Sequence, residues 1–255
     1  MKKLLVLTGA LLVLGASVAS AQINFAWRNC IAITAGAQSA QQNITYACDG
    51  SAAAPFKGVI SFIAPQFVSH FVACDAILDI QTANATLPDF WRLGVGECRD
   101  GSFSYPVSLS GIGNTGSCRN PYAGANAGGG FQYSSGVTGP SRARVQLTEA
   151  RDTEFALVAG AQYIAGMFTM DLIKDTDLGD GVCDGCLVPA CLVVNQINVL
   201  QSAGQIPPSL DQNTLTTAAT RQFVTWQGGA VGGSGCPAET PTKNKTWGSV
   251  KALYR

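Results

Sequence analysis

Apolar and polar residues alternate with a period of two along most of this chain, and the runs are short. Such runs cover Ile23–Trp27, Asn43–Cys48, Gly58–Ile63, Val68–Ile80, Phe90–Val95 and Phe103–Leu109. Further runs cover Arg142–Leu147, Glu154–Val158, Gln162–Ile173, Leu192–Leu200 and Arg221–Trp226. A period of two places alternate side chains on one face of a strand. In Arg142-Ala-Arg-Val-Gln-Leu-Thr148, Ala143, Val145 and Leu147 share the apolar face. Arg142, Arg144, Gln146 and Thr148 take the other, as in a half-buried antiparallel strand. In Phe71–Ile80 the inward set is Cys74, Ala76, Leu78 and Ile80. Eleven short strands separated by Gly, Asn, Asp and Pro, with almost no helical periodicity, predict an antiparallel β-sandwich of jelly-roll or immunoglobulin-like type. The one predicted helix is short and C-terminal, over residues 247–254, with Trp247, Val250 and Tyr254 near one face. Two glycine-rich stretches, Gly111–Gly139 and Gly228–Gly235, are predicted to be long loops.

The first residues follow a different pattern. Met1-Lys-Lys precedes an apolar run from Leu4 to Val18 and the small-residue sequence Ala19-Ser-Ala21. A basic start, a short apolar core and an Ala-x-Ala end predict a signal peptide over residues 1–21. The run is too short for a membrane span, and no later segment is long and apolar enough. The expected product is one domain over residues 22–255, secreted to the extracellular or periplasmic space. Without Lys2 and Lys3, fourteen basic residues face sixteen acidic ones, a net charge of −2. That balance offers no field for a phosphate backbone, so nucleic acid is not an expected partner.

Export changes how the nine cysteines are read. In an oxidising compartment they predict disulfides. Cys30 with Cys48, and Cys98 with Cys118, each flank a polar stretch and are expected to form local bridges. Cys183, Cys186, Cys191 and Cys236 are expected to supply two more, in an order left open. Cys74, on the apolar face of its strand, is the expected unpaired thiol.

The acidic segment Asp175-x-Asp177-x-x-Asp180-Gly-x-x-Asp184 has alternating carboxylates and a turn glycine, the donor set of a hard cation. It resembles the calcium loops of thrombospondin type 3 repeats and dockerins, with one extra residue before Asp180-Gly181 and no terminal Glu. Asp175, Asp177, Asp180 and Asp184 are therefore candidate Ca²⁺ ligands, and calcium is the one cofactor considered. Catalytic patterns are lacking. There is no Gly-x-Ser-x-Gly and no His-Glu-x-x-His, and the sole histidine, His70, lies inside a strand. Asp75 with Asp79, and Glu97 with Asp100, are the carboxylate pairs a glycosidase reading would need. Trp91, Tyr122, Tyr133 and Trp226 are candidate contact residues, because exposed rings on a sandwich stack on sugars.

The features Trp27-Arg-Asn-Cys30, Cys183-x-x-Cys186-x-x-Pro-x-Cys191 and Cys236-Pro…Trp247-Gly…Lys251-x-Leu-Tyr-Arg255 resemble those of uncharacterised exported bacterial proteins. The resemblance implies export and a disulfide-linked β fold, and carries no activity. The expected function is that of a non-enzymatic structural or adhesive protein, acting by surface contact with itself, a cell-surface partner or polysaccharide. The alternatives are a carbohydrate-binding module and a carboxylate-dependent glycoside hydrolase.

Overall fold

A computed structural model describes residues 22–30, 40–49, 55–105, 109, 118–137, 139–171, 182–203, 212–216, 222–229 and 236. The protein is an all-β sandwich of two packed sheets. Its strands are β1 (Gln22–Trp27), β2 (Asn43–Ile44), β3 (Phe56–Ile63), β4 (Val68–Thr82), β5 (Phe103–Ser104) and β6 (Ala127–Ser135). They continue with β7 (Arg142–Leu157), β8 (Gln162–Met170), β9 (Ala190–Gln201), β10 (Gln212–Leu215) and β11 (Phe223–Trp226). The smaller sheet runs β1-β3-β8-β5, and the larger runs β2-β11-β9-β4-β7-β6, with β10 also on β9. All pairs are antiparallel except β2 with β11, which is parallel.

The alternation read in β4 and β7 is the core face of the larger sheet. Cys74, Ala76, Leu78 and Ile80 are buried, as are Ala143, Val145 and Leu147. Side chains opposite them point outward and pair across the sheet. Arg144 forks onto Asp79 through Nε at 2.7 Å and Nη2 at 2.9 Å, and Asn195 donates to the same carboxylate at 2.7 Å. β3 and β8 are buried almost throughout, which matches their continuous apolar sequences.

Several predicted elements differ. Residues 90–95 do not form a strand: Asp89–Trp91 is a 3-10 turn that puts both Phe90 and Trp91 inside. Adjacent aromatic residues can both be buried on a tight turn, whereas a strand would point one outward. The glycine-rich stretch before Gly139 is not wholly a loop, because Ala127–Ser135 is a nine-residue strand. Arg142–Leu147 and Glu154–Val158 are parts of one sixteen-residue strand, β7. The predicted C-terminal helix and most of Gly228–Gly235 lie outside the described residues.

The expected eight cysteines are paired and Cys74 is free and buried, but the pairing differs. The bridges are Cys30–Cys118, Cys48–Cys186, Cys98–Cys183 and Cys191–Cys236, with Cα separations of 6.0, 5.9, 5.8 and 5.4 Å. Neither Cys30–Cys48 nor Cys98–Cys118 forms, and Cys183 and Cys186 look outward from their group. Distant strands decide the partners. Gln227, just after β11, donates to Tyr46 O at 2.5 Å and holds the segment after β2 near Cys186. Arg119 bridges to Tyr163 of β8, two strands from β1 in the smaller sheet, so Cys118 comes within reach of Cys30.

Candidate functional site

β6 closes one end of the larger sheet, and among the described residues β7 is its only ladder partner. Asp152 N–H donates to Asn126 O at 3.1 Å, and Gly136 N–H to Arg142 O at 2.8 Å. Both bonds extend the β6–β7 register by one residue, so the even-numbered residues of β6 are the hydrogen-bonded positions. Gly129, Phe131, Tyr133 and Ser135 therefore turn their N–H and C=O groups to the other edge, which no strand among the described residues covers. Their side chains share the inward face with Leu147 and Val145, the partners of Phe131 and Tyr133.

A cleft of about 660 Å³ runs along this edge. Phe103, Phe131 and Tyr133 line it on the sandwich side, and Leu93, Val95, Glu97 and Asp100 line it on the loop side. Phe131 and Phe103 pack edge to face with centroids 4.8 Å apart. Phe131 is 38% exposed and Val95 96%, so the cleft presents apolar surface to solvent. Tyr133 anchors the strand to the loop, its hydroxyl donating to Trp91 O. Burial pushes its phenol pKa up, and the Glu97 carboxylate adds to that. Glu97 accepts from Gly94 N–H at 2.9 Å and from Ser135 Oγ at 2.8 Å, and Asp100 accepts from Gly96 N–H at 2.9 Å. These carboxylates are the charges of the cleft lining. A second cleft, of about 440 Å³, lies on the outer sheet face, bounded by Asp75, Gln146, Thr148 and Asn198.

Beneath β6 sits a buried carboxylate. Glu149 continues the inward row of β7 and has no accessible surface. Its Oε1 accepts Leu109 N–H at 2.9 Å, while neither Oε2 nor the Tyr105 hydroxyl beside it makes a well-formed hydrogen bond. Burial raises the Glu149 pKa against the lowering effect of Leu109 and Tyr105. Gly129, opposite Glu149, is the position that makes room for it. A Cβ there would lie 1.9 Å from Glu149 Oε2 and 2.6 Å from Thr148 O.

The candidate residues are not gathered in one place. Asp175, Asp177 and Asp180 lie outside the described residues. Asp184 is described, and its carbonyl accepts Phe90 N–H at 2.9 Å. Among the described residues no group of three His, Cys, Asp or Glu is arranged around a metal position. Trp91, Tyr122 and Trp226 are not surface contact residues, since all three have no accessible surface. Trp226 packs at 5.2 Å from Phe56, 5.4 Å from Phe90 and 5.8 Å from Trp91, and its Nε1 donates to Cys186 O at 2.6 Å. Tyr122 is buried against Phe71. Of the four, Tyr133 lines the edge cleft. A planar aromatic platform for sugar is thereby removed from three of the four positions where it was expected.

His70 is half-exposed and pairs with Glu154, Nδ1 to Oε2 at 2.7 Å. Ser202 and then His70 hold the Glu154 carboxyl below its usual range. Cys74 points into the core, where burial pushes its thiol well above the usual range. The open edge and Glu149 were not found from sequence. The period-two Phe131 and Tyr133 were the available signal for the strand, hidden by three preceding glycines. No helix of the described residues is long and apolar enough to cross a membrane. The chain matches no protein-family model and no curated protein sequence.

Proposed function

We propose that this chain is an exported, non-enzymatic contact protein, a structural or adhesive subunit that joins copies through the open edge of β6. The observation that carries this reading is the edge itself. An unpaired strand edge is a template for another chain, and proteins usually blunt it with charge, proline, bulges or brevity. Ala127–Ser135 runs nine residues and contains no charged residue and no proline. The opposite end of the same sheet, β2, is two residues long and so is blunted by its brevity. Export is supported by the leader pattern at residues 1–21 and by four disulfides, which persist in oxidising compartments.

Sedimentation velocity on the oxidised protein without its leader tests this. The wild type is expected to form concentration-dependent assemblies. Gly130→Lys/Gln132→Lys is expected to stay monomeric at the same concentration. Gln132 is exposed and nothing lies within 4 Å of a Cβ at Gly130, so both lysines fit. Equal assembly of the two proteins would sink the reading, as would a monomeric wild type. A parallel run with chelator reads the Ca²⁺ expectation for Asp175, Asp177, Asp180 and Asp184.

A further inference from the structure

Edge strands join either to like edges or to a different segment of the partner, and the charges along the cleft distinguish the two. The β6 edge has Glu97 and Asp100 beside it, and β6 itself carries no cation. A second copy of β6 would bring no cation to Glu97 and Asp100. A strand that complements this edge needs cations and an apolar residue on the face turned toward the cleft.

The chain carries one segment of that kind outside the described residues. Residues 237–255 hold Lys243, Lys245, Lys251 and Arg255 against the single acid Glu239. Within Lys243-Asn-Lys-Thr-Trp247, extended conformation puts Lys243, Lys245 and Trp247 on one face. Successive members of that set are about 6.6 Å apart at ~3.3 Å per residue. Two ammonium groups would then meet Glu97 and Asp100 while the indole covers Phe131 and Val95. Backbone pairing with Phe131 and Tyr133 supplies affinity and the cleft supplies selectivity, as in other cases of strand addition. Cys236, bonded to Cys191 on β9, fixes where this segment leaves the sandwich.

We propose that residues 243–247 of one copy add as a strand to the β6 edge of the next, seated on Glu97, Asp100 and Phe131. This rests on the reading above that the open edge joins copies, and it makes the contact heterologous. A heterologous contact that does not close propagates as a filament, whereas a pairing of like edges stops at a dimer.

The test uses two full-length variants without the leader, each checked for fold by circular dichroism. The edge variant is Gly130→Lys/Gln132→Lys, which keeps its donor segment. The donor variant is Lys243→Glu/Lys245→Glu, which keeps its edge. Each alone is expected to be monomeric by sedimentation velocity, and an equimolar mixture is expected to form a dimer and nothing larger. If the donor variant assembles like wild type while the edge variant does not, the edge still joins copies but this segment is not the donor. If the donor variant assembles more than wild type, the segment covers its own edge and the proposal fails. If the edge variant assembles like wild type, the failure lies in the function proposed for the edge.

Discussion

Glu149 is the residue whose chemistry most opposes its surroundings. It occupies an inward position of β7 between Leu147 and the loop at Leu109, with Tyr105 and Tyr122 close by. Its pKa is raised above the ordinary 4.5, so the folded state holds the proton more tightly than the unfolded state. Well below pH 4.5 both states are protonated and the residue is neutral with respect to stability. Above it the unfolded chain releases the proton first, so stability falls until the folded pKa is passed and then stays level. Glu149→Gln removes that loss while keeping an acceptor for Leu109 N–H. The variant is expected to melt above wild type at pH 7 and to converge with it near pH 4. Thermal melts of both proteins across that range check this, and a constant offset would show that ionisation is not the cause. The same comparison cancels the opposite slope from Glu154, whose lowered pKa favours folding above the usual carboxylate range.

At the scale of elements, β6 explains which glycines matter. Gly129 and Gly130 are adjacent on one strand yet see different surroundings. A methyl at Gly129 meets backbone and a buried carboxylate, and one at Gly130 meets nothing within 4 Å. Gly129→Ala is expected to cost about 1–3 kcal/mol through overpacking. Gly130→Ala is expected to be neutral or stabilising by up to about 1 kcal/mol, because it restricts the unfolded chain. Urea unfolding of the two variants measures both. These residues also show what could be read in advance. β1, β3, β4, β7, β8 and β9 were legible because a period of two, or a continuous apolar run, reports burial directly. β6 was not, since glycine has no side chain to carry the period. The 3-10 turn at Asp89–Trp91 was missed because Phe-Trp scores equally well as strand. β10 was missed because Gln-Asn-Thr-Leu holds a single apolar residue and so carries no alternation. The edge cleft lies between β6 and the loop that follows this turn, so the site was harder to see than the fold.

For the whole molecule, the covalent links are as consequential as the packing. Cys48–Cys186 spans 138 residues and Cys191–Cys236 spans 45. In the loop-entropy picture an isolated bridge of the longer span contributes about 5 kcal/mol and of the shorter about 4 kcal/mol. Cys48→Ser/Cys186→Ser is therefore expected to lose more stability than Cys191→Ser/Cys236→Ser, by roughly 1 kcal/mol. Guanidinium unfolding under non-reducing conditions compares them, and the reverse order would mean that the overlapping bridges compensate for the longer loop. Which cysteines pair could be read from burial and parity, since Cys74 lies on the core face of β4. Their connectivity could not, because it depends on which distant strands become neighbours.

That connectivity has a consequence during synthesis. A chain emerging from its N-terminus presents Cys30 and Cys48 long before Cys118 and Cys186 exist, and neither is the other's native partner. Cys74 and Cys98 emerge next, and again no native pair is complete. The first correct bridge becomes available only when Cys118 has been made, so any earlier oxidation is an error that must be reversed. Where oxidation begins before Cys118 is available, native pairing then requires thiol–disulfide exchange, and without an isomerase the mispaired forms would persist longer.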